Sequence, residues 1–557
     1  MPDSPPLRSG GRLLVDQLRI QGCDRIFTVP GESFLAVLDA LHDTPEIDTV
    51  VCRQEGGVAY MAEADGKLTG RPGVAFVTRG PGATNATPGV HVAFQDSTPM
   101  ILFVGDLDRR DKDREGFQEI DFPAFFAPIA KWAARIDDAA RIPEYVARAF
   151  RVATAGRPGP VVLALPEDML RDEVAVPDRP PVPPVAEMPD PGAVQALFEL
   201  LKEACSPIAI VGGADWSPRA AHHFANFAGR HGIPVATAFR RQDACPNSCR
   251  VYAGNTGYGP NPKLAERIKA ADLLLVVGAR LGESTTDGYT LVTLDHPGQT
   301  LVHVHPDPNE LGRVYHADLP ICSDMGEFAE MVDEWTDPDL VRFGAGEEAH
   351  AEWLEWSEPQ PREGVAMDLG MAMKTLREQL PADTIVCNGA GNFSGWVHRY
   401  WRYAGQPSQL APTSGSMGYG LPAAVAAALR FRDRQVLCVA GDGDFLMNGQ
   451  ELATAAQYGA DLLVIVVDNA SYGTIRMHQE RDYPERLSAT DLRNPDFAAL
   501  ARAYGGWAET VERNEDFAPA LSRAQERRGI RLLHVQTDVE VISNQTTISA
   551  IRERVRD

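Results

Sequence analysis

Hydrophobic residues in this chain come in short runs, separated by polar glycine-rich loops and by stretches with helical spacing. Val436–Ala440 is an apolar, β-branched run closed by Gly441-Asp442-Gly443-Asp444, and Leu462–Val467 is a second, closed by Asp468-Asn469. Runs this short, bounded by Gly, Asp and Asn, predict buried strands. Between them Gly449–Tyr458 is rich in Ala, Leu, Gln and Glu, which predicts a helix. The order strand, loop, helix, strand, loop is a βαβ unit. Both polar loops leave the C-terminal strand edge, where open α/β sheets bind ligands.

The same alternation runs along the chain. Helical spacing at Leu13–Ile20, Phe34–Leu41 and Glu55–Leu68 is interleaved with apolar runs at Arg25–Val29, Thr49–Cys52, Gly73–Thr78 and Met100–Val104. Alternation of this kind predicts parallel sheets covered by helices on both faces. The proline-rich stretch Val176–Pro191 breaks the pattern and predicts an extended linker. Beyond it, Ile208–Val211, Leu273–Val277 and Thr300–His305 read as strands and Ala220–His231 as a helix; the polar segment Asp337–Arg362 predicts a second linker. The expected fold class is α/β, with three doubly wound domains at residues 1–180, 192–335 and 366–557. A chain of 557 residues at about 150 residues per domain agrees with that number.

Composition narrows the function classes. Net charge is −24 with no basic run to offset it, which argues against nucleic-acid binding. No apolar run approaches the ~20 residues of a membrane span. The opening Met-Pro-Asp-Ser-Pro-Pro lacks the basic and apolar regions of a signal peptide. The eight cysteines are scattered, and only Cys245 and Cys249 lie close together. That usage suits a reducing compartment, so the expected location is cytoplasmic.

The loop residues of the opening βαβ unit suit a diphosphate and a hard cation. Gly441 and Gly443 admit backbone N–H groups to anionic oxygens ahead of a helix N-terminus. Asp442 and Asn469 offer a carboxylate and an amide oxygen, the ligand chemistry of Mg²⁺. A Gly-Asp-Gly by itself is as readily a tight strand-to-helix turn. Its pairing with Asn469, with residues 444–468 between, resembles the signature of the thiamine diphosphate (ThDP) enzymes. The resemblance implies Asp442, Asn469 and the Ser471 carbonyl as Mg²⁺ ligands. It also implies cofactor contacts from Gly441, Gly443, Asp444, Tyr472 and Gly473. Family members more often carry Asn-Asn where this chain has Asp468-Asn469.

Other segments resemble the acetolactate synthase group of that family: Arg53-Gln-Glu-Gly-Gly-Val-Ala59, Gly80-Pro-Gly-Ala-Thr-Asn85, Ala93-Phe-Gln-Asp-Ser-Thr-Pro99 and Phe117-Gln-Glu119. The resemblance implies that Glu55 is the activating acid. A carboxylate bonded to N1′ of the aminopyrimidine favours the imino tautomer that takes up the thiazolium C2 proton. Within Gly415-Ser-Met-Gly, Met417 would prop the cofactor into its bent shape, with the Gly415 and Met417 backbones on the pyrimidine. Gly389-Ala-Gly-Asn-Phe393 resembles a diphosphate loop, which implies roles for Gly389, Gly391, Asn392 and Phe393.

Substrate contacts follow from the same comparison of motifs. Glu32, in Pro30-Gly31-Glu32-Ser33 after the first strand, occupies a position that is usually Gly in acetolactate synthases and acidic in pyruvate-decarboxylase-like enzymes. It is the candidate proton-transfer or orienting group, with Gly31 and Ser33 beside it. Gln118 is a catalytic candidate near the cofactor; Phe117, His91 and Lys131 are candidates near substrate entry. Acetolactate synthases carry Gln-Trp near the position of Arg476-Met477-His478. Here Arg476 and His478 are candidate substrate contacts, and an ordinary exposed helix would leave the same residues. In the central domain Gly278-Ala-Arg-Leu-Gly282 and Val304-His-Pro-Asp307 resemble the dinucleotide edge of flavin-containing relatives. The altered loop Gly254-Asn-Thr-Gly-Tyr-Gly259 leaves FAD and an empty site both open.

The resemblance covers residues 10–540. It implies a ThDP- and Mg²⁺-dependent enzyme that decarboxylates a small 2-oxo acid and joins the remaining fragment to an aldehyde or a second 2-oxo acid. It also implies a homodimer as the minimum assembly, since Glu55 and the Gly-Asp-Gly loop of one site come from different subunits in the family, and a homotetramer as the expected one. Glu32 and the missing Gln-Trp pair favour a competing reading as a non-ligating decarboxylase or C–C lyase. A flavin- or nucleotide-binding redox protein is the alternative from another class. Intact Glu55, Asp442 and Asn469 argue against a catalytically dead regulatory subunit.

Overall fold

The computed structural model describes residues 5–213, 216–293, 298–335, 340 and 343–556. It contains three six-stranded sheets, parallel throughout. In the first, β1 (Arg25–Thr28), β2 (Asp48–Val51), β3 (Gly73–Val77), β4 (Met100–Asp106), β5 (Trp132–Arg135) and β6 (Pro160–Pro166) lie in the order β2-β1-β3-β4-β6-β5. In the second, β7 (Pro207–Val211), β8 (Val235–Thr237), β9 (Tyr252–Asn255), β10 (Leu273–Val277), β11 (Thr300–His305) and β12 (Leu319–Cys322) lie in the order β9-β8-β7-β10-β11-β12. In the third, β13 (Ile385–Asn388), β14 (Gln409–Leu410), β15 (Val436–Gly441), β16 (Leu462–Asp468), β17 (Trp507–Val511) and β18 (Ile530–Gln536) lie in the order β14-β13-β15-β16-β18-β17.

Every residue of β3, β4, β6 and β15 is buried. Helices cover both faces of such sheets, so their strands read as continuous apolar runs rather than alternating ones. Alternate residues still serve opposite faces. Ile26, Val74, Phe76, Ile101, Phe103 and Leu163 pack with Leu13, Leu14, Leu18 and Phe150 in one core, where Phe76 and Phe103 stack at 4.7 Å. Leu437, Val439, Ile465 and Leu533 do the same in the third sheet against Phe393, Trp396, Leu376 and Leu521. Each such side chain contributes about 1.5–3 kcal/mol of transfer free energy.

The described chain divides into two compact units. One contains residues 1–185 with 421–431 and 448–460; the other contains 186–420, 432–447 and 461–557. The hydrophobic pattern assigns 421–431 and 448–460 to a C-terminal domain, yet their tertiary contacts place them in the first unit. Among the described residues no helix is long and apolar enough to cross a membrane.

Several elements differ from the expected ones. The loop after β15 is a helical turn, Asp442–Phe445. The expected helix Gly449–Tyr458 opens as a 3-10 turn, Gly449–Glu451, before Leu452–Gln457. The second linker is partly ordered. Its residues 337–339 and 341–342 lie outside the described set, but Ala345–Trp356 is a helix that buries Ala349 and Trp353, with Trp353 edge-on to Tyr252 at 4.7 Å. Residues 175–190 carry neither helix nor strand, consistent with a proline-rich connection.

Candidate functional site

In the second unit the loops after β13, β15 and β16 leave the same strand edge and enclose a cavity of about 230 Å³. Gly391, Asn392, Phe393, Gly415 and Met417 line it, as do Gly441, Asp442, Gly443, Asp444, Asn469, Ser471, Tyr472 and Gly473. Gly389 is one residue removed, beside the lining residue Ala390. The structure thus brings the expected cofactor and metal residues of this unit, all but Gly389, to the wall of one cavity.

Close packing explains the glycines. A Cβ on Gly389 would stand 2.1 Å from Asp444 Oδ1, one on Gly441 2.8 Å from the Phe393 ring, and one on Gly443 2.5 Å from the Tyr472 ring. Asp444 is a stitching residue: its Oδ1 accepts the Gly418 N–H at 2.8 Å and the Ala390 N–H at 3.1 Å. It thereby joins the loops after β13, β14 and β15. Its Oδ2 is buried without a partner, and burial pushes this carboxyl up to about 7. Asn392 is tied by Nδ2 to the Ile542 carbonyl at 2.9 Å and by Oδ1 to the Thr474 hydroxyl at 2.9 Å.

Asp442 is also buried, and burial pushes its carboxyl up to about 6. Its Oδ1 accepts the Gly443 N–H at 2.9 Å. Its Oδ2 accepts from Asn494 Nδ2 at 2.7 Å, and the same amide donates to Asp468 Oδ1 at 2.8 Å. Asp468 Oδ2 in turn meets His534 Nε2 at 2.8 Å. Asn469 Oδ1 accepts the Ser471 N–H at 3.1 Å, which curls the loop and brings residues 469 and 471 to the cavity wall. A buried carboxylate lined up with an amide oxygen is a donor set that fits Mg²⁺. The orphaned Asp444 oxygen and the Cβ-free turns mark a cradle that side chains do not fill.

Arg476 and His478 lie on the helix Gly473–Asp482. The Arg476 Nε donates to Glu480 at 2.9 Å, and Arg552 grips the same carboxylate through two bonds of 2.7 Å. Arg476 is therefore committed to a buried acid of its own helix. His478 is exposed.

In the first unit Glu55 is the first residue of the helix Glu55–Thr69. The Gln54 side chain caps that helix, accepting the N–H groups of Gly56 and Gly57. Glu55 is half-buried; its Oε2 accepts from Asn85 Nδ2 at 3.0 Å, and its Oε1 would stand 3.4 Å from a Cβ on Gly82. The loop that carries it is anchored by Glu451, whose carboxylate accepts the Arg53 and Gln54 N–H groups, each at 3.1 Å, and the Thr454 hydroxyl at 2.6 Å.

Glu32 and Arg79 follow the adjacent strands β1 and β3 and pair at 2.7 Å. Ser33, which is buried, bonds Thr78 at 2.9 Å, and a Cβ on Gly31 would stand 2.5 Å from Thr78 Cβ. Gln118 has φ +64 and accepts the Gly80 N–H on its carbonyl at 3.1 Å; Phe117 is exposed, with its ring 5.9 Å from the Arg79 guanidinium carbon. Glu55, Glu32, Gly31, Ser33, Phe117 and Gln118 therefore all belong to the C-terminal strand edge of the first sheet. Two candidates do not. Lys131 precedes β5 at the opposite edge, where its Nζ donates to the Ala155 carbonyl at 2.6 Å. His91 is exposed on the helix Gly80–Asp96, eleven residues beyond Gly80, about 16 Å along the axis.

Asn494, His534, Glu451 and Arg79 carry no local sequence signal. Each is a polar residue in ordinary surroundings along the chain, and its role comes from a partner distant in sequence.

Three family models match the chain. They are the N-terminal TPP binding domain of thiamine pyrophosphate enzymes over residues 8–125, the central domain over 194–332, and the C-terminal TPP binding domain over 389–535. The chain is 34% identical to an acetolactate synthase large subunit of Parasynechococcus marenigrum, across 90% of this chain and 83% of that one. It is 30% identical to an acetolactate synthase of Arthrospira platensis, across 95% and 94%. It is 29% identical to the acetolactate synthase isozyme 2 large subunit of Escherichia coli, across 95% and 96%. With the cradle in one unit and the Glu55 edge in the other, these likenesses place the chain in the thiamine pyrophosphate enzyme family, as a ThDP-dependent decarboxylase/carboligase of the acetolactate synthase-like group.

Proposed function

We propose that this enzyme uses Mg²⁺ with ThDP to decarboxylate a small 2-oxo acid and transfer the remaining fragment to an aldehyde or second 2-oxo acid. The observation that carries this reading is the cavity in which Asp442, Asn469 and Ser471 meet the glycine turns and Met417. Asp442, Asn469 and the Ser471 carbonyl would hold the cation; the 389–393 and 441–444 turns would face the diphosphate, with Gly415 and Met417 at the aminopyrimidine. Bound there, ThDP supplies the carbon nucleophile and electron sink that 2-oxo acid decarboxylation needs. Glu55 would hold a proton shared with a ring nitrogen, its Oε2 already fixed by Asn85.

The active assembly in this reading is a homodimer in which the first unit of one copy supplies Glu55 to the cradle of the other. A homotetramer is the larger form, and the cytoplasm is the compartment. The central domain either takes FAD or stays empty, and the presence or absence of a yellow flavin absorbance in the purified protein separates the two. A panel of 2-oxo acids assayed for CO₂ release with ThDP and Mg²⁺ tests the reaction. The absence of release from every member, or release unaffected by omitting ThDP, defeats it.

One observation favours a second reading, a non-ligating decarboxylase or C–C lyase. The Glu32 carboxylate is exposed at the ligand edge, where it could serve proton transfer. Acetolactate formed from pyruvate supports ligation; acetaldehyde alone supports the second reading.

A further inference from the structure

Arg79 stands out among the groups that the proposed chemistry does not use. It precedes the helix Gly80–Asp96 without a side-chain cap bond to it, at the strand edge that also carries Glu55. Its side chain is only 10% exposed, whereas that of its partner Glu32 is 68% exposed. The pair is held at 2.7 Å, Glu167 stands 4.0 Å from the same Nη2, and Arg79 Nε is buried without a partner. A buried guanidinium is costly to leave without a counter-ion. The buried cation therefore holds the exposed anion in place. The Ser33–Thr78 bond and the Gly31–Thr78 contact tie the same two loops together, so the carboxylate has a fixed base as well as a fixed partner. Glu167 is itself paired with Arg171 at 3.2 Å, so Arg79 and Glu32 form an ion-pair dipole whose negative end, the Glu32 carboxylate, faces outward.

We propose that Arg79 is a positioning residue that holds Glu32 as a fixed anion at the ligand-facing edge, and that this anion directs the second step towards an uncharged carbonyl acceptor. The inference rests on the reading of the protein as a 2-oxo acid carboligase. Like charges at close range repel, more strongly in a shielded site than in water, so a second 2-oxo acid meets a barrier that an aldehyde does not.

The experiment uses the full-length protein with ThDP and Mg²⁺. The donor is whichever of pyruvate, 2-oxobutyrate and phenylglyoxylate releases CO₂ fastest. Excess donor and acetaldehyde compete as acceptors, and the ligated products are quantified. Wild type is expected to favour acetaldehyde. Glu32→Gln, at an exposed position that tolerates the change, is expected to raise the share of 2-oxo acid acceptor by about tenfold. Arg79→Gln is expected to move the product ratio the same way and to lower kcat more than it raises KM; Arg79→Lys restores the wild-type ratio. An unchanged ratio in Glu32→Gln overturns the proposal. So does an Arg79→Gln loss that Lys does not rescue. ThDP binding, followed separately by quenching of tryptophan fluorescence, distinguishes the failures: a wild type that binds no ThDP or releases no CO₂ counts against the carboligase reading.

Discussion

Gly57 lacks a side chain because Glu451 occupies its place: a Cβ there would stand 2.6 Å from Glu451 Oε1. The same carboxylate accepts two backbone N–H groups from the residues just before Glu55. Local helix propensity disfavours glycine at the second and third positions of a helix, but the tertiary contact overrides it. Gly57→Ala is expected to destabilise by about 1–3 kcal/mol through overpacking. Glu451→Ala is expected to lose a similar amount by leaving two N–H groups unpaired. Thermal melts report the stability, and turnover is expected to fall with it as the Glu55 loop loosens. Wild-type stability in Gly57→Ala would show that the carboxylate moves aside at no cost.

Asn494 bridges Asp442 and Asp468, and His534 secures the far end of the chain of bonds. In the proposed function Asp442 is a Mg²⁺ ligand, and groups that orient a metal ligand typically contribute 10–100-fold to affinity. Asn494→Ala is therefore expected to weaken Mg²⁺-dependent ThDP binding by about that factor, with recovery at high Mg²⁺. Titrating ThDP at several Mg²⁺ concentrations, with fluorescence as the readout, checks this without reference to turnover.

Asp444 gives the cofactor-free protein a particular pH dependence. Burial raises its carboxyl from 3.8 to about 7. Between these values the folded chain binds a proton that the unfolded chain has released, so this contribution to stability falls as pH rises. Asp444→Asn keeps an oxygen for the two N–H groups and carries no titration. Its stability relative to wild type is expected to grow from pH 4 to 7, by on the order of 1–3 kcal/mol. Paired melts at several pH values measure the difference; a pH-independent gap would put the proton elsewhere.

The proposed exchange of halves between two copies has a direct test. Glu55→Gln and Asp442→Ala should each abolish most turnover, by about 10²–10⁴-fold for the acid. If each site takes Glu55 from one copy and Asp442 from the other, a mixed dimer has one doubly defective site and one intact site. Refolding or co-expressing the two variants together should then restore about a quarter of wild-type turnover. No recovery in verified mixed dimers would mean that both residues of a site come from one chain.

The sequence by itself determined the fold class and the cofactor cradle, because both rest on local information. Buried parallel strands need continuous apolar runs, and turns that touch a diphosphate need glycines at set offsets from a strand end. Val436–Gly441, Leu462–Asp468 and the turn glycines Gly441 and Gly443 follow from those two requirements, whereas Asn392, Met417, Ser471 and Tyr472 follow from the family resemblance. Folding alone decided what depends on partners remote in the chain. Helical spacing keeps Gly449–Tyr458 with the C-terminal half, but Glu451 and Tyr458 bond to residues 49–54 and place it in the first unit. Nor does the sequence show that Arg476 Nε pairs with Glu480, a partner set by packing and shared with Arg552. The same blindness hides Arg79, which in sequence precedes a glycine turn and in space pairs with Glu32. A charged side chain acts through the charge that burial places against it, and only the packed structure chooses that charge.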